Sequence, residues 1–98
     1  MFRLSFPKND QTDALAHAIL SLRTEEECYA FFEDVCTIKE VLSMAQRLRV
    51  AELLSEGNSY QNVCEKTGAS SATVGRVKRC LDYGSGGYSL IINRQKGK

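Results

Sequence analysis

The sequence predicts an all-α fold that ends in a helix-turn-helix, and three observations carry that prediction. Apolar residues recur at helical spacing through most of the 98 residues. The pattern Thr-x-x-Glu occurs at Thr24/Glu27 and again at Thr37/Glu40, where hydroxyl and carboxylate can each satisfy a free backbone amide at a helix start. Gly68 interrupts the stretch YQNVCEKTGASSATVGRVKR, Tyr60 to Arg79, between two short helical runs. A glycine takes a positive φ without steric cost, so it ends one helix and turns the chain into the next.

Taken in order, Met1 to Lys8 reads as an arm that ends at Pro7, the single proline. Asn9, Asp10 and Thr12 offer caps for a first helix running to about Leu22, with Leu15, Ile19 and Leu22 on its apolar face. A second helix starts near Glu25 and carries Cys28, Phe31, Phe32, Val35 and Cys36. Its carboxylates Glu25, Glu26 and Glu27 are favourable charges at the positive end of a helix dipole rather than catalytic groups. The third and longest helix follows Thr37 and reaches about Ser55, with Val41, Leu42, Ala45, Leu48 and Leu53 inward. Gly57 and Asn58 end it.

The bend itself spans about residues 60–83. Its first helix, Tyr60 to Thr67, turns Val63 and Thr67 inward and has the small Cys64 where a second helix can approach closely. Ser70 or Ser71 caps the second helix. There Val74, Val77 and Leu81 form one apolar stripe, and half a turn away lie Ala72, Arg76, Arg79 and Tyr83. A helix that enters the DNA major groove needs a buried seam, short side chains at its leading end and arginines outside. Residues 1–83 therefore form one helical domain, and residues 84–98 a glycine-rich joint with a basic tail. Tyr88 to Ile92 is left open between a strand and a helical turn, while Arg94, Lys96 and Lys98 are expected to be disordered.

A composition of 43% hydrophobic and 26% charged residues is that of a globular chain. No apolar run approaches the ~20 residues that span a bilayer, and MFRLSF lacks the apolar stretch of a secretory signal, which points to the cytoplasm and away from a membrane. The net charge of +1 conceals an asymmetry: residues 1–56 hold six Lys/Arg against ten Asp/Glu, and residues 57–98 hold seven against two. The positive half contains the bend, as attraction to phosphate requires. Cys28, Cys36, Cys64 and Cys80 form no CxxC pair and His17 has no ligand companion, so they read as packing groups in a reducing compartment, not as a metal site. HExxH, GxGxxG and phosphate-loop patterns are missing, and no nucleophile neighbours a base, so no enzyme is expected.

These features point to a sequence-specific transcriptional regulator, a repressor, whose partner is double-stranded DNA. Base edges would be read by Ser70, Ser71, Ala72, Gly75 and Arg76, with Thr73 in the same DNA-binding set. Phosphates would be held by Lys78, Arg79 and the amides near Ser59 and Tyr60. The apolar faces of the first two helices exceed what one chain can cover, which predicts an obligate homodimer presenting two reading helices to two half-sites. Two alternatives use the same corner: a protein-interaction adaptor, and the DNA-binding module of a recombination or replication machine.

The order of elements, with CTIKEVLSMAQRLRVAELLSEG leading into the Gly68 bend and SSATVGRVKR, resembles the tryptophan repressor superfamily and most closely its small YerC/YecD-type relatives. The resemblance runs from about Leu15 to Tyr83. It implies an intertwined Trp-repressor-like dimer in which the early helices of both chains share a core and the bend projects as a DNA-reading head. It also implies an effector pocket at Thr37, Arg47, Thr73 and Arg76, which resemble the repressor's ligand-contacting threonines and arginines. Val77 stands where the repressor has a glycine lining the indole slot, and Cys80 where it has a serine near the ligand's amino group. A branched side chain fills space that a flat ring needs and a thiol accepts hydrogen bonds poorly. The resemblance thus implies another small effector, or none, in place of tryptophan.

Overall fold

The computed structural model describes residues 2 and 4–97. Six helices follow in order: α1 (Asp10–Leu20), α2 (Glu25–Val35), α3 (Ile38–Ser55), α4 (Tyr60–Thr67), α5 (Ser71–Tyr83) and α6 (Gly87–Lys96). The chain divides into two units within α3. One is Ser5–Val41, and the other takes the chain from Leu42 onward together with Phe2 and Leu4.

In the first unit the helix starts follow from local hydrogen bonding. The Asn9 side chain accepts the Thr12 N–H at 2.9 Å, and the Thr12 hydroxyl accepts the Asn9 N–H at 2.8 Å. The helix expected to reach Leu22 stops at Leu20, because the Ser21 hydroxyl donates to the Ala18 carbonyl at 2.7 Å and draws the last turn closed. At α2 the Thr24 hydroxyl accepts the Glu27 N–H at 3.1 Å, but the Glu27 carboxylate accepts from Arg23, one residue before the reciprocal partner expected. Cys36 falls outside α2 as its extended C-cap. Phe31 and Phe32 are half-buried, with ring centroids 6.3 Å apart. No residue of α1 or α2 is buried.

At the start of α3 the Thr37 and Glu40 side chains make the full reciprocal pair, at 3.1 and 2.8 Å. Further along, the inward positions differ from those expected. Leu53 is buried, Val41 and Leu48 are half-buried, and Leu42 and Ala45 are exposed, while Val50 and Ala51 are fully buried. In the second unit the core draws on the last turns of α3, so only that part of its apolar stripe is covered. There Val50, Ala51 and Leu53 meet Val63 of α4, Ala69 of the corner, Val74 and Val77 of α5, and Ile92 of α6. Each fully buried aliphatic side chain contributes ~1.5–3 kcal/mol of transfer free energy.

The chain beyond Tyr83 is more ordered than expected. Tyr88 to Ile92 belongs to α6, which continues through Arg94 and Lys96 and packs on α5. Ile92 docks on the core, and that burial holds in helical form both Tyr88 to Ile92, for which the sequence leaves strand and helical turn open, and Arg94 and Lys96, which it predicts to be disordered. Lys98 lies outside the described residues. Among those residues no helix is long and apolar enough to cross a membrane.

Candidate nucleic-acid interface

The corner between α4 and α5 is set by four small devices. Ser59 caps α4 by accepting the Asn62 N–H at 3.2 Å. Gly68 closes it with φ +75°, its N–H donating to the Cys64 carbonyl at 2.9 Å. The Thr67 hydroxyl then donates to the Val63 carbonyl at 2.7 Å and accepts the Ala69 N–H at 3.1 Å, which pairs the backbone amide that follows Gly68. Ser70 caps α5, accepting the Thr73 N–H at 3.1 Å.

The phase of α5 follows from its valines. Val74 and Val77 are buried and Leu81 packs against the core, which turns Ser71, Ala72, Arg76, Arg79 and Tyr83 outward to solvent. Among the described residues neither Arg76 nor Arg79 forms an ion pair or a side-chain hydrogen bond. An open groove of about 590 Å³ runs along this side, lined by Tyr60 of α4 and by Ala72, Gly75, Arg76, Lys78, Arg79, Asp82 and Tyr83 of α5.

Three details differ from the expectations for single residues. The Ser70 hydroxyl is engaged in capping and also meets the Thr73 hydroxyl at 3.1 Å, so the uncommitted hydroxyl at the leading end of α5 is that of Ser71. Lys78 is paired with Asp82 at 3.3 Å. Asp82 is a groove residue that the sequence reading does not include, although its spacing of four from Lys78 is the ordinary helical ion-pair signal.

Behind α5 lies a second hollow of about 580 Å³, lined by Met44 and Arg47 of α3, Arg76, Val77 and Cys80 of α5, and Tyr88 of α6. It brings together four of the six residues expected at an effector pocket. Thr73 is not among its lining residues, and Thr37 serves as the cap of α3. Met44 and Tyr88 join them unforeseen; nothing local in the sequence marks a residue of α6 as a neighbour of Arg47. Burial raises the Tyr88 phenol above its ordinary value of 10.0, the Arg47 guanidinium lowers it, and Cys80 adds a further upward push. The other cysteines are half-buried, whereas Cys80 is exposed to this hollow rather than packed.

Residues 10–96 match the family model of the Trp repressor protein. The chain belongs to the Trp repressor family. Within that family it is 52% identical over 89 residues to the uncharacterized protein YerC of Bacillus subtilis (strain 168), covering 91% of this chain and 86% of that one. The crystal structure of a TrpR like protein from Eubacterium eligens ATCC 27750 matches with a TM-score of 0.88 at 49% identity, over 91% of this chain and 92% of that one. A solved structure from Staphylococcus aureus, of a putative Trp repressor, gives a TM-score of 0.88 at 43% identity, over 91% and 89% of the two chains. The all-helical, TrpR-like architecture expected from the sequence is thus shared with solved members of the Trp repressor family, which is one of helix-turn-helix DNA-binding folds.

Proposed function

We propose that the protein is a sequence-specific, non-catalytic DNA-binding regulator, a repressor, that acts in the cytoplasm as a homodimer and places α5 of each chain in successive major grooves. The observation that carries this reading is the division of α5 into a buried valine seam and an exposed face bearing Arg76 and Arg79, which have no acidic partner among the described residues. Such a face supports guanine recognition by Arg76, worth ~1–3 kcal/mol of discrimination, and phosphate contact by Arg79. Ser71, Ala72, Thr73 and Gly75 lie at the leading end, where only short side chains allow close approach to base edges. Ser59 and Tyr60 present the first amides of α4 to a phosphate.

The dimer is supported by α1 and α2, in which no residue is fully buried within one chain and the apolar Leu15, Ile19, Leu20 and Val35 are exposed. A helix pair with so little burial has little to offset its ordering entropy, and a two-fold partner supplies the missing surface. The hollow behind α5, with two guanidinium groups beside Met44 and Val77, supports a small anionic effector better than the flat ring of tryptophan.

The test is the Arg76→Ala/Arg79→Ala variant, compared with the parent for duplex binding by gel shift and for chains per particle by sedimentation. Loss of DNA binding with two chains per particle is the expected result. Undiminished binding would overturn the reading and favour an adaptor that uses the corner for a protein partner.

A further inference from the structure

We propose that Asp82 sets the specificity of the α5 face, a role that rests on the regulator reading above: its carboxylate holds Lys78 off phosphate, so that duplexes lacking the read sequence bind weakly. Among the described residues Asp82 is the sole carboxylate lining the groove that also holds Arg76, Lys78 and Arg79, and its Oδ1 lies 3.3 Å from the Lys78 Nζ. The two side chains are 43% and 41% exposed, so the pair stands on the surface that DNA would meet.

Helix energetics give no reason for a carboxylate there. α5 ends at Tyr83, which puts Asp82 in its last turn, at the negative end of the helix dipole, where an anion is unfavourable. Lys78 preceding Asp82 is also the weaker of the two i,i+4 orders, and an exposed pair of this kind adds little to stability. What Asp82 changes is the charge of the face. It cancels that of Lys78 and leaves Arg76 and Arg79 as the uncompensated cations lining the groove, among the described residues.

Position decides which DNA contacts this affects. At about 3.6 residues per turn Asp82 falls between Lys78 and Arg79 on the outward side, and it lies seven residues beyond Gly75, about 10 Å along the axis. The major groove is about 8.5 Å deep, so with the leading end of α5 at the base edges, Asp82 and Lys78 stand level with the phosphates. Binding to arbitrary sequence draws essentially all its affinity from phosphate neutralisation, and there the protein slides until each free cation finds an oxygen. A complex fixed by Arg76 on a base has its register set, and a freed Lys78 adds less to it. Holding Lys78 on Asp82 therefore weakens binding to arbitrary DNA more than binding to the read sequence, and specificity is that difference.

The test uses the full chain with Asp82→Asn, Lys78→Ala and the two together, titrated with a random-sequence duplex and with a duplex that the parent selects from a random pool. One further phosphate per subunit of a dimer steepens the salt slope by about 1.8, so Asp82→Asn should bind the random duplex about tenfold more tightly than the parent at ~50 mM salt and lose most of that advantage by ~200 mM. Binding to the selected duplex should gain about threefold or less, so that discrimination falls at least about threefold. In the Lys78→Ala background Asp82→Asn should lose most of its effect. Unchanged affinity for the random duplex, or equal gains on both duplexes, would overturn the specificity role, and an undiminished effect without Lys78 would overturn the hold on that side chain. A parent that binds no duplex or selects no sequence defeats the regulator reading and this role with it, whereas a discriminating parent matched by Asp82→Asn defeats the role of Asp82 alone.

Discussion

The side-chain amide of Gln46, midway along α3, donates to the backbone carbonyl of Thr67, the last residue of α4, at 3.2 Å. This part-buried bond joins the end of the first bend helix to the long helix behind it. The carbonyl belongs to the group that a helix C-terminus leaves without an internal partner, so Gln46 does what a cap would do from a distance. Gln46→Ala should cost ~1 kcal/mol and lower the melting temperature by about 4–8 °C at fixed protein concentration, as read by circular dichroism.

Two glycines of the corner should respond in opposite ways. Gly68 has φ +75° and nothing within 4 Å of an added Cβ, so Gly68→Ala should lose ~1–2 kcal/mol from backbone strain alone. Gly75 lies inside α5 with equally open space, so Gly75→Ala should raise stability by ~0.5–1 kcal/mol. The same methyl group would stand in the groove beside Arg76, and DNA affinity should fall as stability rises. Denaturant melts and gel shifts on one preparation separate the two effects.

Val74 has no exposed surface, and its removal leaves a void that the short helices close only in part. Val74→Ala should destabilise by ~2 kcal/mol in urea titration, with duplex affinity falling in proportion to the unfolded fraction.

Phosphate neutralisation has its own signature. With about four phosphates neutralised by each subunit of a dimer, log affinity should fall against log salt with a slope of about −7. Arg79→Ala should make that slope shallower by about 0.9 for each phosphate it leaves unneutralised, uniformly across sequences, whereas Arg76→Ala should relax the preference at one base pair in each half-site. A parent slope near zero would remove the electrostatic basis of the interface.

The Tyr88 phenol gives a pH dependence of known sign. Its folded pKa is raised above the unfolded 10.0, mainly by burial, so above pH 10.0 the unfolded chain releases a proton that the folded chain retains. Stability relative to Tyr88→Phe should therefore be fully present below pH 10.0 and decline as the pH rises through the folded value. Parallel urea titrations of the two proteins from about pH 8 to about pH 11 check this.

Much of the head is legible in the sequence because its determinants are close neighbours in the chain. Gly68, Ser70 and the Val74/Val77 pair each act within one or two turns, through backbone amides or the 3.6-residue period, and these are properties of a short string of residues. The arginine face follows from the same phase. Asp82 is equally legible from its spacing to Lys78, once anions are sought beside the cations.

The core of α3 is not legible in the same way. Its apolar residues outnumber those that one head can cover, and periodicity does not say which of Leu42, Ala45, Val50 and Leu53 meets a neighbour. That choice depends on where α4, α5 and α6 arrive. The tail departs from expectation for a related reason: a short, uncapped, glycine-led segment is disordered by local rules, and only the pocket for Ile92 reverses the outcome.

From the sequence by itself came the helix starts, the corner at Gly68 and the opposition of valines to arginines along α5, since each is decided by groups within hydrogen-bonding or helical reach of one another. Tertiary structure decided that α6 is a helix, that Leu53 rather than Leu42 is enclosed, and that Arg47 and Tyr88 border one hollow. Such outcomes depend on which distant surface is present to exclude water, and no local pattern of residue types specifies that surface.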